Sequence, residues 1–310
     1  MSTQIAKEKR SEHSIGLING YIAYILWGGV VLYWPYLAPA KPLEILAHRI
    51  LWSLLFVAVI LIYQKRMISL RVVLKNARQM KLLAVASILI GVNWGLFIWA
   101  TMNGHVLDSS LGYYITPLLN VALGVFFFKE KLRKMQWIAI GIAAFAVLFI
   151  TISLGVLPWV ALSLSTSFAM YGYVKKLANV EALESLMIET LILAPVAIGY
   201  LIWLQFNGGS TFLAYGLDHT LWMASAGIVT AIPLLAFGVA IVRLPLTTLG
   251  MLQYIGPTIQ FIVGVWIAQE AMPQERFIGF AITWIALVLL TADALRNRRN
   301  VSKSLVTDPD

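Results

Sequence analysis

Ten long apolar runs follow one another through most of this chain, and they limit what it can fold into. Runs of about 18 to 23 residues cross a hydrocarbon core of about 30 Å as helices, which rise about 1.5 Å per residue. They lack the alternation of barrel strands, and their backbone groups must be satisfied internally in lipid, so helices are predicted. The runs, numbered here as spans 1 to 10, are 15–36, 43–63, 82–101, 109–128, 135–153, 157–174, 183–204, 221–242, 246–268 and 277–294.

The composition agrees with a polytopic membrane protein. The 310 residues are 60% hydrophobic and 12% charged, with a mean hydropathy of +0.83, which is too much apolar surface for a soluble core. Cysteine is absent, so disulfides, thiolate metal sites and cysteine nucleophiles are excluded.

Basic residues predict the orientation of the spans. If the amino terminus is cytoplasmic, 20 of the 23 Lys and Arg residues lie in cytoplasmic segments, and the exceptions are Lys41, Arg49 and Arg276. This asymmetry predicts that both termini are cytoplasmic and that the number of spans is even. Residues 1–14 and 295–310 are read as cytoplasmic tails, the first being too charged for a typical cleaved signal peptide. Topology therefore explains the net charge of +9 better than nucleic-acid binding does.

The chain also repeats itself. A pattern of proline, glycine and glutamate, spaced seven and six residues apart, occurs once near the middle and once near the end of the chain. The matched positions are Pro117 with Pro257, Gly124 with Gly264, and Glu130 with Glu270. Further matches at separations of 138 to 140 include Ser110–Gly112 with Thr248–Gly250, and Leu43–Glu44 with Leu183–Glu184. A steady separation indicates two copies of one unit, residues 15–153 and 157–294.

Each copy holds five spans, so the second copy must cross the membrane in the opposite sense. The predicted fold is an all-α membrane protein of ten transmembrane helices in two inverted five-helix repeats. Inverted repeats are a transporter architecture, with the substrate site expected near the midplane between the halves.

A five-plus-five order with an acid closing spans 4 and 9 resembles the EamA branch of the drug/metabolite transporter superfamily. The resemblance covers about residues 15 to 295 and implies export of small metabolites across the bacterial cytoplasmic membrane, without a cofactor and without naming a substrate. Lys129 and Gln269 stand where many family members have glycine, so Glu130 and Glu270 are expected to be structural groups. The runs that most resemble one group within this branch are 44–49, Gly91–Trp94, Phe97–Ala100, Ser110–Tyr113, Ile188–Thr190 and Gln253–Thr258.

Charged side chains inside apolar spans are the first candidates for transport, because a charge in hydrocarbon costs at least about 2.5 to 3.5 kcal/mol. Arg49 and Glu189 lie 140 positions apart, each six residues inside its span. Arg49 is read either as an anchor for a carboxylate or other anionic group or a charge that gates one side, or as an interfacial arginine that snorkels outward and fixes the helix. Glu189 is read as a proton-exchanging acid or cation ligand, or as a protonated carboxyl bonded to a neighbouring helix. A direct ion pair between them is left open, since straight helices leave them roughly 12 Å apart along the normal.

His48 is the one histidine inside a span. A contact with Glu44, four residues earlier, is its expected role, and proton relay is the alternative.

Polar and aromatic residues on spans 3, 4 and 9 form the second group of candidates. Amides among aromatic rings suit an amphipathic organic molecule, although Asn and Gln also join membrane helices and Tyr and Trp form interfacial belts. The predicted substrate-binding residues, besides Arg49 and Glu189, are Asn93, Trp94, Tyr113, Asn120, Gln253 and Tyr254. The belt interpretation is preferred for Trp34, Tyr36 and Tyr63.

Prolines and glycines mark bends and close contacts. Pro117 and the pair Gly256 and Pro257 are predicted several residues inside spans 4 and 9, where proline bends a helix and could form a hinge. Pro195 and Pro233 are expected to bend spans 7 and 8, and glycines such as Gly264 to allow close helix packing.

Together these features predict a carrier that moves a small organic solute outward by alternating access, with proton coupling left open. Its expected partners are a small-molecule substrate and the lipid bilayer, without nucleic acid, and the sequence does not indicate an oligomeric state. A non-transporting membrane sensor or scaffold is the alternative. An enzyme is disfavoured, because only four histidines are present and neither metal-ligand spacing nor a phosphate loop occurs.

Overall fold

The structure is a computed structural model that describes residues 2–128, 133–241, 243–244 and 252–307. These residues form helices and connecting turns, without a β-strand among them. The helices are α1 (Ser2–Gly29), α2 (Pro42–Tyr63), α3 (Met67–Lys75), α4 (Ala77–Met102), α5 (Val106–Phe128), α6 (Lys134–Leu154), α7 (Trp159–Ala178), α8 (Ala182–Phe206), α9 (Gly216–Ile241), α10 (Ile255–Ile262) and α11 (Gln274–Thr307). Two short 3₁₀ turns, Val30–Leu32 and Trp34–Leu37, follow α1, and the π-helical turn Val263–Ile267 extends α10.

Seven helices in the described part of the chain are long and apolar enough to cross a membrane. The prediction of an all-helical membrane protein is therefore confirmed. Predicted spans 1 to 8 and 10 coincide with helices, whereas span 9 extends into residues 245–251, outside the described part. Lys129 and Glu130 also lie outside it, so the structural role expected of Glu130 stays a prediction. The seven candidate spans are Glu12–Leu32, Pro42–Tyr63, Ala77–Met102, Lys134–Leu154, Ala182–Phe206, Gly216–Ala240 and Gln274–Asp293.

Local sequence explains several helix ends. The Asn76 side chain caps α4 by accepting a hydrogen bond of 3.1 Å from the backbone N–H of Gln79. Gly155 ends α6 in the left-handed conformation, at φ +66°. Glu270 accepts hydrogen bonds from the first two N–H groups of α5, at 2.5 and 2.9 Å. This is the structural role that its position predicted, and the carboxylate also complements the positive end of the helix.

The main helix contacts join the first half of the chain to the second. α1 packs on α9 and α10, α2 on α8 and α9, α4 on α7 and α8, α5 on α7 and α10, and α6 on α11. Span 2 therefore lies against spans 7 and 8, and span 3 against spans 6 and 7.

Glycines allow the closest of these approaches. A Cβ atom at Gly227 of α9 would lie 2.3 Å from the backbone carbon of Trp52, so the two backbones nearly touch. One at Gly264 would lie 2.7 Å from the Leu107 side chain, which fits the close packing predicted for this glycine. The contact at Gly227 fixes α2, and with it Arg49, against the second half of the chain.

The prolines divide into two groups. Pro117, Pro195 and Pro233 lie inside α5, α8 and α9, as predicted. The placement predicted for Gly256 and Pro257 was wrong, because the described helix begins at Ile255 and both lie in its first turn. Proline fits there because the first-turn N–H has no acceptor within the helix.

Candidate functional site

Arg49 lies on the inner face of α2, where its side chain contacts two tryptophans. It is 7% exposed, and its guanidinium carbon lies 4.2 Å from the ring centre of Trp94 and 5.3 Å from that of Trp34. Cation–π contacts of this kind partly compensate a desolvated charge. The side chain is thus enclosed by protein, and the snorkelling interpretation does not describe it.

The buried charge of Arg49 has no carboxylate partner in the described part of the chain, where the ion pairs involve other residues. The Nε atom of Arg49 and the Nε1 atom of Trp34 are both buried without a hydrogen-bond partner. A buried cation without a counter-charge is costly, and so is each unsatisfied donor.

Two tyrosines are electrostatic neighbours of Arg49. The Tyr33 hydroxyl donates to the backbone oxygen of Trp222 at 2.5 Å and lies 2.9 Å from the Ser225 hydroxyl, which ties the turn after α1 to α9. The Tyr113 hydroxyl donates to Oδ1 of Asn93 at 3.2 Å. Two neutral hydroxyl groups thus accompany the guanidinium.

Asn93 joins three helices. Its amide nitrogen donates to the backbone oxygen of Leu164 at 3.0 Å and to the Ser167 hydroxyl at 2.9 Å, while its oxygen accepts from Tyr113. Both polar atoms of the amide are therefore engaged within the protein. Asn93 therefore joins helices and also positions Tyr113 beside Arg49. Both interpretations of this residue, as a link between helices and as part of the site, apply.

The structure brings together four of the predicted site residues: Arg49, Asn93, Trp94 and Tyr113. Sequence reasoning missed Tyr33, and the belt interpretation of Trp34 was wrong, since that side chain is fully buried. One signal was present for Tyr33: Tyr171 lies 138 positions later and contacts Glu189, as Tyr33 accompanies Arg49.

Three other predicted residues lie elsewhere. Asn120 is exposed on α5. Tyr254 stacks on Tyr114 with ring centres 6.5 Å apart, at the edge of a core to which α5, α6, α7, α10 and α11 contribute. Gln253 is half-buried in the turn before α10. The described contacts of Arg49 include none of these side chains.

Glu189 is fully buried and pairs with Lys175 of α7 at 2.7 Å. Its carboxylate also accepts hydrogen bonds from the hydroxyls of Ser185 at 2.7 Å and Tyr171 at 3.0 Å. The ion pair with Arg49 that the sequence left open is not formed, because Glu189 faces α7 and the lysine in its last turn. The acid is thus bonded to its neighbours rather than unpaired.

The expected contact between Glu44 and His48 is also replaced. Glu44 instead accepts from the backbone and hydroxyl of Thr211, at 2.7 and 3.0 Å, because the loop before α9 covers it. The His48 ring packs at a tilt of 32° against Phe212 with ring centres 4.5 Å apart, and its Nε2 atom is buried without a partner. His219 of α9 also bonds the Thr211 hydroxyl, through its Nε2 atom at 2.9 Å.

Two cavities open near this region. One, of about 450 Å³, is lined by His48, Trp52, Phe212 and neighbouring residues of α2 and α8. The other, of about 410 Å³, is lined by Asp218, Leu221, Trp222 and Ser225. Neither is lined by Arg49 or Glu189, so the cavity predicted between the halves stays a prediction. Tyr33 bonds to two residues that line the second cavity, and it directly precedes Trp34, whose ring contacts Arg49.

Comparisons with known proteins show which family the chain belongs to. The EamA-like transporter family matches residues 14–152. Protein RarD of Streptomyces exfoliatus is 49% identical over 289 residues, covering 93% of this chain and 92% of that protein. Protein RarD of Escherichia coli K12 is 40% identical over 290 residues, covering 93% and 97%. The uncharacterized transporter YojE of Bacillus subtilis is 39% identical over 309 residues, covering 96% and 99%.

A solved crystal structure shares the fold, with a TM-score of 0.60 at 17% identity over 89% of this chain and 97% of the other. The relatives are bacterial, and several are named as transporters. The protein is therefore a multi-pass membrane transporter rather than an enzyme. The chain belongs to the EamA-like transporter family and, within it, to the RarD proteins.

Proposed function

We propose that this transporter is a secondary carrier of the bacterial cytoplasmic membrane that exports a small organic solute by alternating access. The observation that carries the proposal is the buried group of Arg49, Trp94, Asn93 and Tyr113 among apolar helices of both halves. A charged side chain kept inside a membrane bundle marks a substrate or ion pathway by default. Tyr33 and Trp34 belong to the same proposed site.

The proposed topology has ten spans in two inverted repeats, residues 15–153 and 157–294, with both termini cytoplasmic. The helix contacts support it, because exchanging each span for its counterpart five spans away leaves the pattern unchanged. The contacts of span 1 with spans 8 and 9 correspond to those of span 6 with spans 3 and 4. The contact of span 2 with span 8 corresponds to that of span 7 with span 3.

Two related acids support the repeat further. Glu44 and Glu184 lie 140 positions apart, and each holds a loop of the other half. Glu44 binds Thr211 in the loop before α9, whereas Glu184 pairs at 2.7 Å with Arg66 in the loop after α2. These bonds lie toward opposite ends of the bundle, so alternating access would break and remake them in turn. A bend at Pro117, which lies inside α5, would serve as a hinge.

Proton exchange at Glu189 is the proposed driving step. Its carboxylate is buried beside the side chain of Lys175, which is 22% exposed. A conformational change that separates the pair would leave the buried carboxylate without its counter-charge, and the reverse change would restore the pair.

The test is counterflow into proteoliposomes with labelled amino acids and amphipathic organic acids and amines, with and without a pH gradient. The parent is compared with Glu189→Gln and with Asp293→Asn, whose carboxylate pairs with Arg133 at the end of the bundle. We expect gradient-dependent flux in the parent and the Asp293→Asn control, and its loss in Glu189→Gln. Flux that ignores both the gradient and the Glu189 change would indicate a uniporter. Substrate binding without flux would indicate a sensor and overturn the proposal.

A further inference from the structure

The two buried charges at Arg49 and Glu189 differ in how they are neutralised. They stand 140 positions apart in the two halves, each beside a tyrosine. Glu189 has a cation within 2.7 Å, the Nζ atom of Lys175. In the described part of the chain, Arg49 has aromatic rings and hydroxyls but no carboxylate. Among the described residues, the counter-charge is thus present in one half and missing from the other.

Two orphaned donors mark where that counter-charge would bind. Arg49 Nε and Trp34 Nε1 are both buried without an acceptor, and the guanidinium lies over the Trp34 ring at 5.3 Å, so the donors are neighbours. Each buried donor left unsatisfied destabilises the protein, and a charged donor does so more than a neutral one. An anionic oxygen would neutralise the guanidinium and accept from one or both donors.

The surroundings of this pair are apolar and largely aromatic. Phe97 packs edge-on against Tyr113 with ring centres 5.7 Å apart. Trp34, Phe97 and Ile45 belong to one buried cluster, which Tyr113 joins from its edge. A fully hydrated inorganic anion would leave these walls unused, whereas an organic anion with an apolar body would contact them.

We propose that the transporter's substrate is a small organic anion, and that its carboxylate binds the Arg49 guanidinium and Trp34 Nε1. The planar guanidinium matches a carboxylate, and the apolar body of the solute lies against Trp94, Phe97 and Tyr113. This inference rests on the proposed function and adds the chemical class of the solute. Tyr33 precedes Trp34 and ties the turn after α1 to α9 at Trp222 and Ser225, which line one of the two cavities.

The first experiment compares acids with uncharged amides of the same shape. Benzoate and indole-3-acetate, against benzamide and indole-3-acetamide, are tested for binding by calorimetry to the purified full chain in discs of zwitterionic lipid. The same four compounds are then tested as counterflow substrates. We expect the acids to bind at least about tenfold more tightly than the amides, since a hydrogen bond to a charged group contributes about 1.5 to 3 kcal/mol.

Variants test whether Arg49 and Trp34 bind the carboxylate. Arg49→Gln is expected to remove the preference for the acid, Arg49→Lys to retain part of it, and Trp34→Phe to weaken acid binding several-fold while sparing the amide. Arg276→Gln is the matched control, because it removes a cation that contacts Asp108 at 3.5 Å, outside the site. If Arg49→Gln does not fold, the comparison of acids with amides on the parent and on Arg49→Lys still tests whether the site binds an anion.

Each outcome has a distinct meaning. Equal binding of acid and amide, or an unchanged preference in Arg49→Gln, would overturn the anion site while leaving transport of other solutes intact. Acid binding without counterflow would support the site and overturn the carrier function. Acid binding that disappears when phosphatidylglycerol is added to the discs would assign the site to a lipid headgroup, and tight binding of chloride alone would assign it to an inorganic anion. Either would overturn the substrate class.

Discussion

The buried charged residues of this protein differ in how many hydrogen-bond and charge partners the fold gives them. Glu189 has three described partners, Lys175, Ser185 and Tyr171, whereas Arg49 has two aromatic rings and an orphaned Nε atom. Buried charges are tolerated when paired and are costly when one partner is removed. A buried charge with all its partners inside the protein, such as Glu189, holds neighbouring helices together. A buried charge that lacks a counter-charge, such as Arg49, can bind one from a ligand.

Removing Lys175 should therefore destabilise the protein more than removing both charges. We expect Lys175→Met to lower the free energy of unfolding by about 3 kcal/mol, the lower end for a buried pair, because that side chain is 22% exposed. Adding Glu189→Gln should restore part of this loss, since the carboxylate would no longer lie uncompensated. The measurement is a double-mutant cycle of unfolding in mixed micelles titrated with dodecyl sulfate. Losses that simply add would show that the two side chains do not interact.

At the scale of helices, small residues decide which surfaces meet. Gly227 lets α9 approach the backbone of α2 at Trp52, one turn from Arg49. Neither backbone can move aside without shifting a whole helix. The position of the guanidinium therefore depends on a glycine of another helix.

Gly227→Ala should separate α2 from α9. The added Cβ would lie 2.3 Å from a backbone carbon, and overpacking costs about 1 to 3 kcal/mol even where side chains can yield. Gly199→Ala on α8 is the control, because a Cβ there meets nothing within 4 Å. It should be neutral or slightly stabilising, since alanine favours helices. Unfolding by dodecyl sulfate measures both, and equal stability of the two variants would contradict the close contact.

The helices themselves could be predicted from the sequence because runs of apolar residues have few other solutions in lipid. Arg49 and Glu189 could be found because charge is rare in such runs. Their partners could not, because the rotation of each helix about its axis is set by packing across halves, as the buried Trp34 and the bond between Glu44 and Thr211 show. The first-turn position of Pro257 depends on a break that no hydropathy pattern marks.

Across the whole molecule, the two halves are tied at both ends of the bundle. Arg66 bonds Glu181 and Glu184 at one end, and Tyr33 bonds Trp222 and Ser225 at the other. A carrier that alternates between two states must release one set of ties while keeping the other. Locking either end should therefore stop transport without unfolding the protein.

The natural absence of cysteine makes this prediction simple to test. Arg66→Cys and Glu181→Cys place two thiols where the native side chains meet at 2.5 Å, and a flexible bis-methanethiosulfonate reagent can span the shorter side chains. We expect crosslinking to abolish counterflow and a reducing agent to restore it. Each single-cysteine variant treated with the same reagent should keep its flux, which separates locking from modification. Full flux through the crosslinked protein would mean that this end does not open, and alternating access between the proposed halves would have to be abandoned.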